Sequence, residues 1–151
     1  MMIVENPTLQ DLLDLTKSFF HLHWNSVELG NPPNWSELFS NFVRMPNYLK
    51  AGLYAFVKNN EITYIGVGAS KGGGIYPERG LSRRFQSYVK VNKEKNEPYI
   101  VDVRLQEARE VVTIGFESEH AYLAYGLEAF LISRLNPKYN KVGKKLVNSP
   151  K

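Results

Sequence analysis

Two runs rich in β-branched and aromatic residues, 52–57 and 61–67, flank an Asn59-Asn60 pair, and this arrangement constrains the fold more than any other feature of the chain. Asparagine tolerates the positive φ that tight hairpin turns demand, so the segment predicts two antiparallel strands. Register then decides which side chains share a face. A two-residue Asn59-Asn60 loop sets Tyr54 and Tyr64 on opposite faces, whereas a three-residue Lys58-Asn59-Asn60 loop sets them directly opposite one another. If the two tyrosines act together, an odd-length loop or a bulge is required. Tyrosines on strands are more often simple packing residues.

Upstream, Thr8 followed by Asp11 reads as an N-cap, and Leu9, Leu12, Leu13, Phe19, Phe20 and His23 recur at helical spacing, predicting a helix over 8–24. Gly30-Asn31-Pro32-Pro33 breaks the chain, and a shorter helix is expected over 36–44, ending before Pro46. Downstream of the hairpin come a glycine-rich loop over 68–80, a helix over 81–91 and a half-buried strand over 99–105. Residues 110–116 read as a further strand or an extended connection. Ser118 caps a helix running to about Leu135, where Asn136-Pro137 stops it. Together these predict an α+β fold: a small, mainly antiparallel three-stranded sheet flanked by helices, with a helical extension over 1–50 packed on a core over 51–151.

At 151 residues and 43% hydrophobic, the chain suits a single domain with its own core. There is no cysteine, which removes disulfides, thiolate catalysis and cysteine-ligated zinc. No apolar run approaches the roughly 18 residues of a membrane span, and Glu5 and Pro7 interrupt any secretory core at the start, so a soluble cytoplasmic protein with no membrane partner is expected. The formal charge of +4 is uneven: residues 1–50 carry three Lys/Arg against five Asp/Glu, 51–110 ten against seven, and 111–151 six against three. The stretch 138–151 holds five lysines and no acid, which suits a polyanion but equally a solvated tail.

One position in the last helix stands out. Its inward stripe runs Ala121, Ala124, Tyr125, Glu128, Leu131, Ile132, Leu135, and the carboxylate falls in the middle of it. An unpaired buried carboxylate is costly, so Glu128 is half of an ion pair, sits at the stripe's open edge, or is a functional group. Arg84 shares a helical face with Leu81 and Tyr88, suited to bidentate phosphate contact or to ordinary snorkelling. His21 and His23, two apart on a helix, point in different directions and make a poor metal pair. Gly72-Gly73-Gly74 lacks the Lys-Ser/Thr of a P-loop, so no nucleotide cofactor is expected.

Gly52-Leu53-Tyr54, nine residues, then Tyr64-Ile65-Gly66 resembles the signature of the GIY-YIG nuclease superfamily. The likeness extends through Leu81-Ser82-Arg83-Arg84-Phe85-Gln86-Ser87-Tyr88, Leu127-Glu128-Ala129-Phe130-Leu131-Ile132 and Leu135-Asn136-Pro137-Lys138-Tyr139-Asn140, covering about residues 51–141 in order. The resemblance implies a DNA endonuclease using one Mg²⁺ or Mn²⁺. Glu128 would ligate the metal, Arg84 would clamp the scissile phosphate, and Tyr54 or Tyr64, with preference for Tyr54, would take the proton from water. Tyr88 and Asn140 would orient phosphate or water, and Lys71, Arg83, Lys90, Lys138 and Lys141 would contact nucleic acid.

The sequence departs from the family in having Val67 after the second motif glycine, where many members carry lysine, a charge that either Lys71 in the following loop or no residue at all replaces. The resemblance implies a restriction-like member or one from a phage or mobile element, and the long segment between Gly66 and Arg84 and the lack of an appended recognition domain are similar to restriction members. Cutting both strands would then need a homodimer or sequential nicking. The rivals are a nucleic-acid-binding module that has lost catalysis, and a structural domain in which Glu128 and Arg84 are merely an ion pair.

Overall fold

The computed structural model describes residues 6–42, 45–71, 74–75 and 80–140, with backbone alone at 70–71 and 74–75. The chain is α+β. Strands β1 (Ala51–Lys58), β2 (Glu61–Gly68) and β7 (Glu110–Phe116) form an antiparallel sheet in the order β2-β1-β7. The expected hairpin is present, with Asn59 and Asn60 both at positive φ (49° and 69°) in a two-residue turn. Lys58 pairs with Glu61 and Val57 with Ile62, after which Thr63 is bulged and Phe56 pairs with Tyr64. The bulge therefore does what the register argument required. Tyr54 opposes Gly66, not Tyr64, but the two tyrosines lie diagonally on one face with ring centroids 6.1 Å apart.

Alternation along β1 sorts the core into two layers. Leu53, Ala55 and Val57 join Ile62, Ile65, Val112 and Ile114 on one face of the sheet. Against this face pack α1 (Leu9–His23) through Leu12, Phe19 and Phe20, and α5 (Leu123–Leu135) through Ala124, Leu127, Leu131 and Leu135. Tyr54 and Phe56 occupy the other face with Val111, covered by α3 (Gly80–Phe85) and α4 (Val103–Ala108) through Leu81, Phe85 and Leu105. The predicted N-cap of α1 is a full capping box, Thr8 with Asp11. A four-residue helix α2 (Ser26–Leu29) follows, and Trp35 ties the succeeding loop back to α1 by donating to Thr16 Oγ1 at 2.8 Å.

Several expected elements differ. The helix expected over 36–44 is absent from its described part, which runs beside β7. Ser36 N–H donates to Thr113 O, and Phe39 exchanges both backbone hydrogen bonds with Val111. Open ladder groups on β7 outbid a weak local helical pattern there. The helix expected over 81–91 stops at Phe85, because residues 89–92 pair as β5 (Val89–Asn92) with β6 (Glu97–Ile100). The strand expected over 99–105 is split. Its second half is α4, started by Asp102, whose carboxylate accepts from the Arg104 and Leu105 amides. Residues 110–116 are a full strand, and the last helix begins at Leu123, after a 3₁₀ turn (Ser118–His120) rather than directly at Ser118. The glycine-rich segment contributes a small ladder of β3 (Ser70–Lys71) with β4 (Gly74–Ile75). No helix among the described residues is long and apolar enough to cross a membrane.

Candidate active site

Four predicted site residues meet above the α3–α4 face of the sheet. Tyr54 is fully buried, its ring edge-on to Phe85 (5.1 Å) and Tyr88 (5.6 Å). Its ring lies over Gly66, where any Cβ would overlap the phenol, so the cross-strand glycine is the space the tyrosine occupies. The Tyr54 and Tyr88 hydroxyls are 2.5 Å apart, and Arg84 Nε donates to the Tyr54 hydroxyl at 3.2 Å. With Arg84 donating to it, the Tyr54 oxygen is polarised to donate in turn to Tyr88, giving a chain of two hydrogen bonds from cation to phenol. Among the described residues the other N–H groups of Arg84 make no hydrogen bond, and a guanidinium's remaining donors are the kind that bind an oxyanion.

Burial first, then the neighbouring Tyr88 and Tyr64, push the Tyr54 phenol well above its ordinary range, and Arg84 offsets only part of this. Tyr88 is likewise raised, chiefly by burial. Tyr54 is therefore a protonated donor held out of water, which argues against the preference for it as the base. Tyr64, half-buried on the same face, is the accessible phenol of the group.

An unforeseen cation completes the cluster. Arg104 lies 4.3 Å above the Tyr64 ring and 5.7 Å from that of Tyr88, while its Nε and Nη2 grip the Asp102 carboxylate at 3.0 and 2.7 Å. That fork holds the Asp102 carboxyl below the usual carboxylate range. Read as a strand, residues 99–105 gave Arg104 no special direction. The Asp-x-Arg spacing after a possible N-cap was the available signal. The two guanidiniums thus flank a single Tyr88 ring, Arg84 at 5.5 Å from its centre.

Glu128 lies at the flank of the α5 stripe beside Tyr125 and Ile132, all half-buried, while Leu127 takes the central position assigned to it from sequence. Partial burial pushes its carboxyl up, opposed by the charge of Arg84. No salt bridge joins the two, and Glu128 has no hydrogen-bond partner among the described residues. The simple ion-pair reading is therefore not what the geometry shows. A half-desolvated carboxylate with no hydrogen-bond partner among the described residues suits a hard divalent cation. Among the described residues no three His, Asp or Glu side chains converge on one point, so such an ion would need water and substrate oxygens to complete its shell.

Asn140 serves the backbone instead of solvent. Its amide accepts from Ile65 N and donates to Ile65 O, both at 2.9 Å, fixing β2 beside Tyr64 and Gly66. It is a brace, and its amide is already engaged. Lys138, expected to meet nucleic acid, is bonded to Glu107 at 3.0 Å together with Lys58, and Tyr139 donates to the same carboxylate. Arg83 and Lys90 are exposed on α3 and β5. The side chain of Lys71, and all of Lys141, lie outside the described residues.

No family model matches the chain, and no curated protein or solved structure is similar to it.

Proposed function

We propose that the chain is a divalent-metal-dependent endonuclease of the GIY-YIG type, hydrolysing phosphodiester bonds in DNA. The observation that carries this reading is the convergence of Arg84, Tyr54, Tyr64 and Tyr88 into one hydrogen-bonded and stacked cluster, with Glu128, which has no hydrogen-bond partner among the described residues, close enough to feel the Arg84 charge. A guanidinium bonded to a buried phenol, near enough to a half-buried carboxylate to influence its proton affinity, is an arrangement suited to binding a phosphodiester.

In this reading the remaining donors of Arg84 clamp the scissile phosphate and oppose its growing negative charge. Tyr64, in its phenolate form, takes the proton of the attacking water and passes it on to solvent, while Arg104 lies against its ring face. Tyr54 and Tyr88 hold Arg84 in place from below. Glu128 would hold Mg²⁺ or Mn²⁺, which supplies Lewis-acid neutralisation of the phosphate when bound. A soluble cytoplasmic setting and a homodimer for double-strand cutting belong to the same proposal.

The test is plasmid cleavage at low salt by wild type and Glu128→Ala, with Mg²⁺, with Mn²⁺ and with EDTA. Metal-dependent nicking or linearisation, absent in the variant, supports the enzyme. Intact plasmid with a retained gel shift replaces it with a binding module of the same fold. Neither cutting nor binding removes DNA as the substrate.

A further inference from the structure

The hairpin of β5 and β6 is the part of the molecule least explained by packing. Every residue from Lys90 to Tyr99 is exposed, Val91 and Tyr99 by about half (56% and 51%). A two-stranded hairpin with so little buried is marginal on its own. Yet this one is carefully built. It has a four-pair ladder, and at its tip the Asn92 carboxamide oxygen accepts from the Glu94 and Lys95 amides at 3.0 and 3.3 Å.

Its two faces differ. Val89, Val91 and Pro98 turn toward Phe42, Met45 and Phe85 around a cleft of about 220 Å³, which seats the root of the ribbon. By the period of two, the opposite face carries Lys90 directly across from Tyr99 and Asn92 across from Glu97, and Lys93 and Lys95 stand at the tip. The ribbon's roots are site residues. Tyr88 immediately precedes β5, Val101 N–H donates to Tyr88 O at 2.8 Å, and Asp102 and Arg104 follow β6. Whatever the ribbon touches is therefore held at a fixed offset from the Tyr88–Arg84–Arg104 cluster.

We infer that the 89–100 ribbon is a duplex-DNA-engaging arm that enters the major groove through its Lys90/Tyr99 face while the adjacent cluster meets the backbone. This rests on the nuclease reading only in that the ligand is a phosphodiester. Two paired strands lie about 5 Å apart, so with their side chains this ribbon fits across a B-form major groove about 12 Å wide. The exposed lysines match the phosphates at the groove's rim, and the Tyr99 ring and hydroxyl and the Glu97 carboxylate suit base edges. The deep, narrow major groove of A-form RNA does not admit such a ribbon. The arm thus selects duplex DNA over duplex RNA and over single strands.

Fluorescence anisotropy in EDTA tests this without cleavage. The probes are a labelled DNA duplex of about two dozen base pairs, its single strand, and the RNA duplex of the same sequence. Wild type is compared with Lys90→Ala/Tyr99→Ala, and with Lys93→Gln/Lys95→Gln, whose tip side chains bear on no packing, each checked by circular dichroism. Wild type should bind the DNA duplex about tenfold or more tighter than either other probe. The first variant should lose most of that margin. The second should lower the salt slope by about one per lysine removed. Equal binding of the RNA duplex, wild-type affinity in both variants, or no binding of any probe would each overturn the inference. Wild-type cleavage alongside unaffected variants rejects the arm and keeps the nuclease. Loss of duplex preference in the variants of a protein that never cuts keeps the arm and rejects the nuclease.

Discussion

Tyr54 and Tyr64 share one sheet face and differ chiefly in their access to water. Tyr54 is fully enclosed and bonded to Tyr88 and Arg84, so Tyr54→Phe should cost about 1–2 kcal/mol in denaturant unfolding and also slow cleavage. Tyr64→Phe, at a half-exposed site whose ring contacts survive, should leave stability within about 0.5 kcal/mol while abolishing cleavage. If Tyr54→Phe left cleavage intact, the hydrogen-bonded chain would have no role in the reaction. Glu128 gives a prediction of opposite sign. Because burial raises its carboxyl, the folded chain binds that proton more tightly than the unfolded one does. Stability therefore falls as pH rises from the ordinary carboxylate range through the raised folded value, and is level above it. Glu128→Gln should remove this fall and, after allowance for solvent screening, stabilise the protein at pH 7 by no more than about 1 kcal/mol. Thermal melts of both proteins from acid to neutral pH check this.

At the scale of elements, the hairpin makes the sharpest demand. Gly66→Ala places a methyl within the Tyr54 ring, which is fixed from above by Arg84 and Tyr88, so unfolding should show a loss of about 1–3 kcal/mol together with reduced cleavage. Asn140→Ala strips two hydrogen bonds from Ile65 and should cost about 1–3 kcal/mol, with cleavage falling through displacement of Tyr64. How legible these elements were depended on how local their causes are. The capping box at Thr8 and the Asn59-Asn60 turn act within a few residues and were readable. The segment beyond Ser36 was not, because its conformation is set by β7 some 75 residues later. Alternation over 99–105 read as a strand because Asp102 and Arg104, two residues apart, also serve as cap and partner at the start of a helix. Losing that helix concealed Arg104, whereas Arg84 and Glu128 stood out by their place among apolar neighbours.

For the molecule as a whole, charge and topology set the expectations. A formal charge of +4, with the acidic excess confined to residues 1–50, predicts salt-sensitive association with DNA. With about three phosphate contacts, affinity should fall by one to two decades between 50 and 200 mM salt, measured by anisotropy titration. A flat response would remove nucleic acid as the partner. The same three-stranded sheet has one more consequence. Both of its outer strands are already occupied: β2 by Pro7, Thr8 and the Asn140 carboxamide, and β7 by Ser36 and Phe39. A bare margin is a template on which strands from other chains add, and this sheet offers none along its middle. Segments remote from the chemistry thus act as guards against self-templated aggregation. Removing residues 36–39 should convert a well-behaved protein into one that forms β-rich assemblies before it loses its fold.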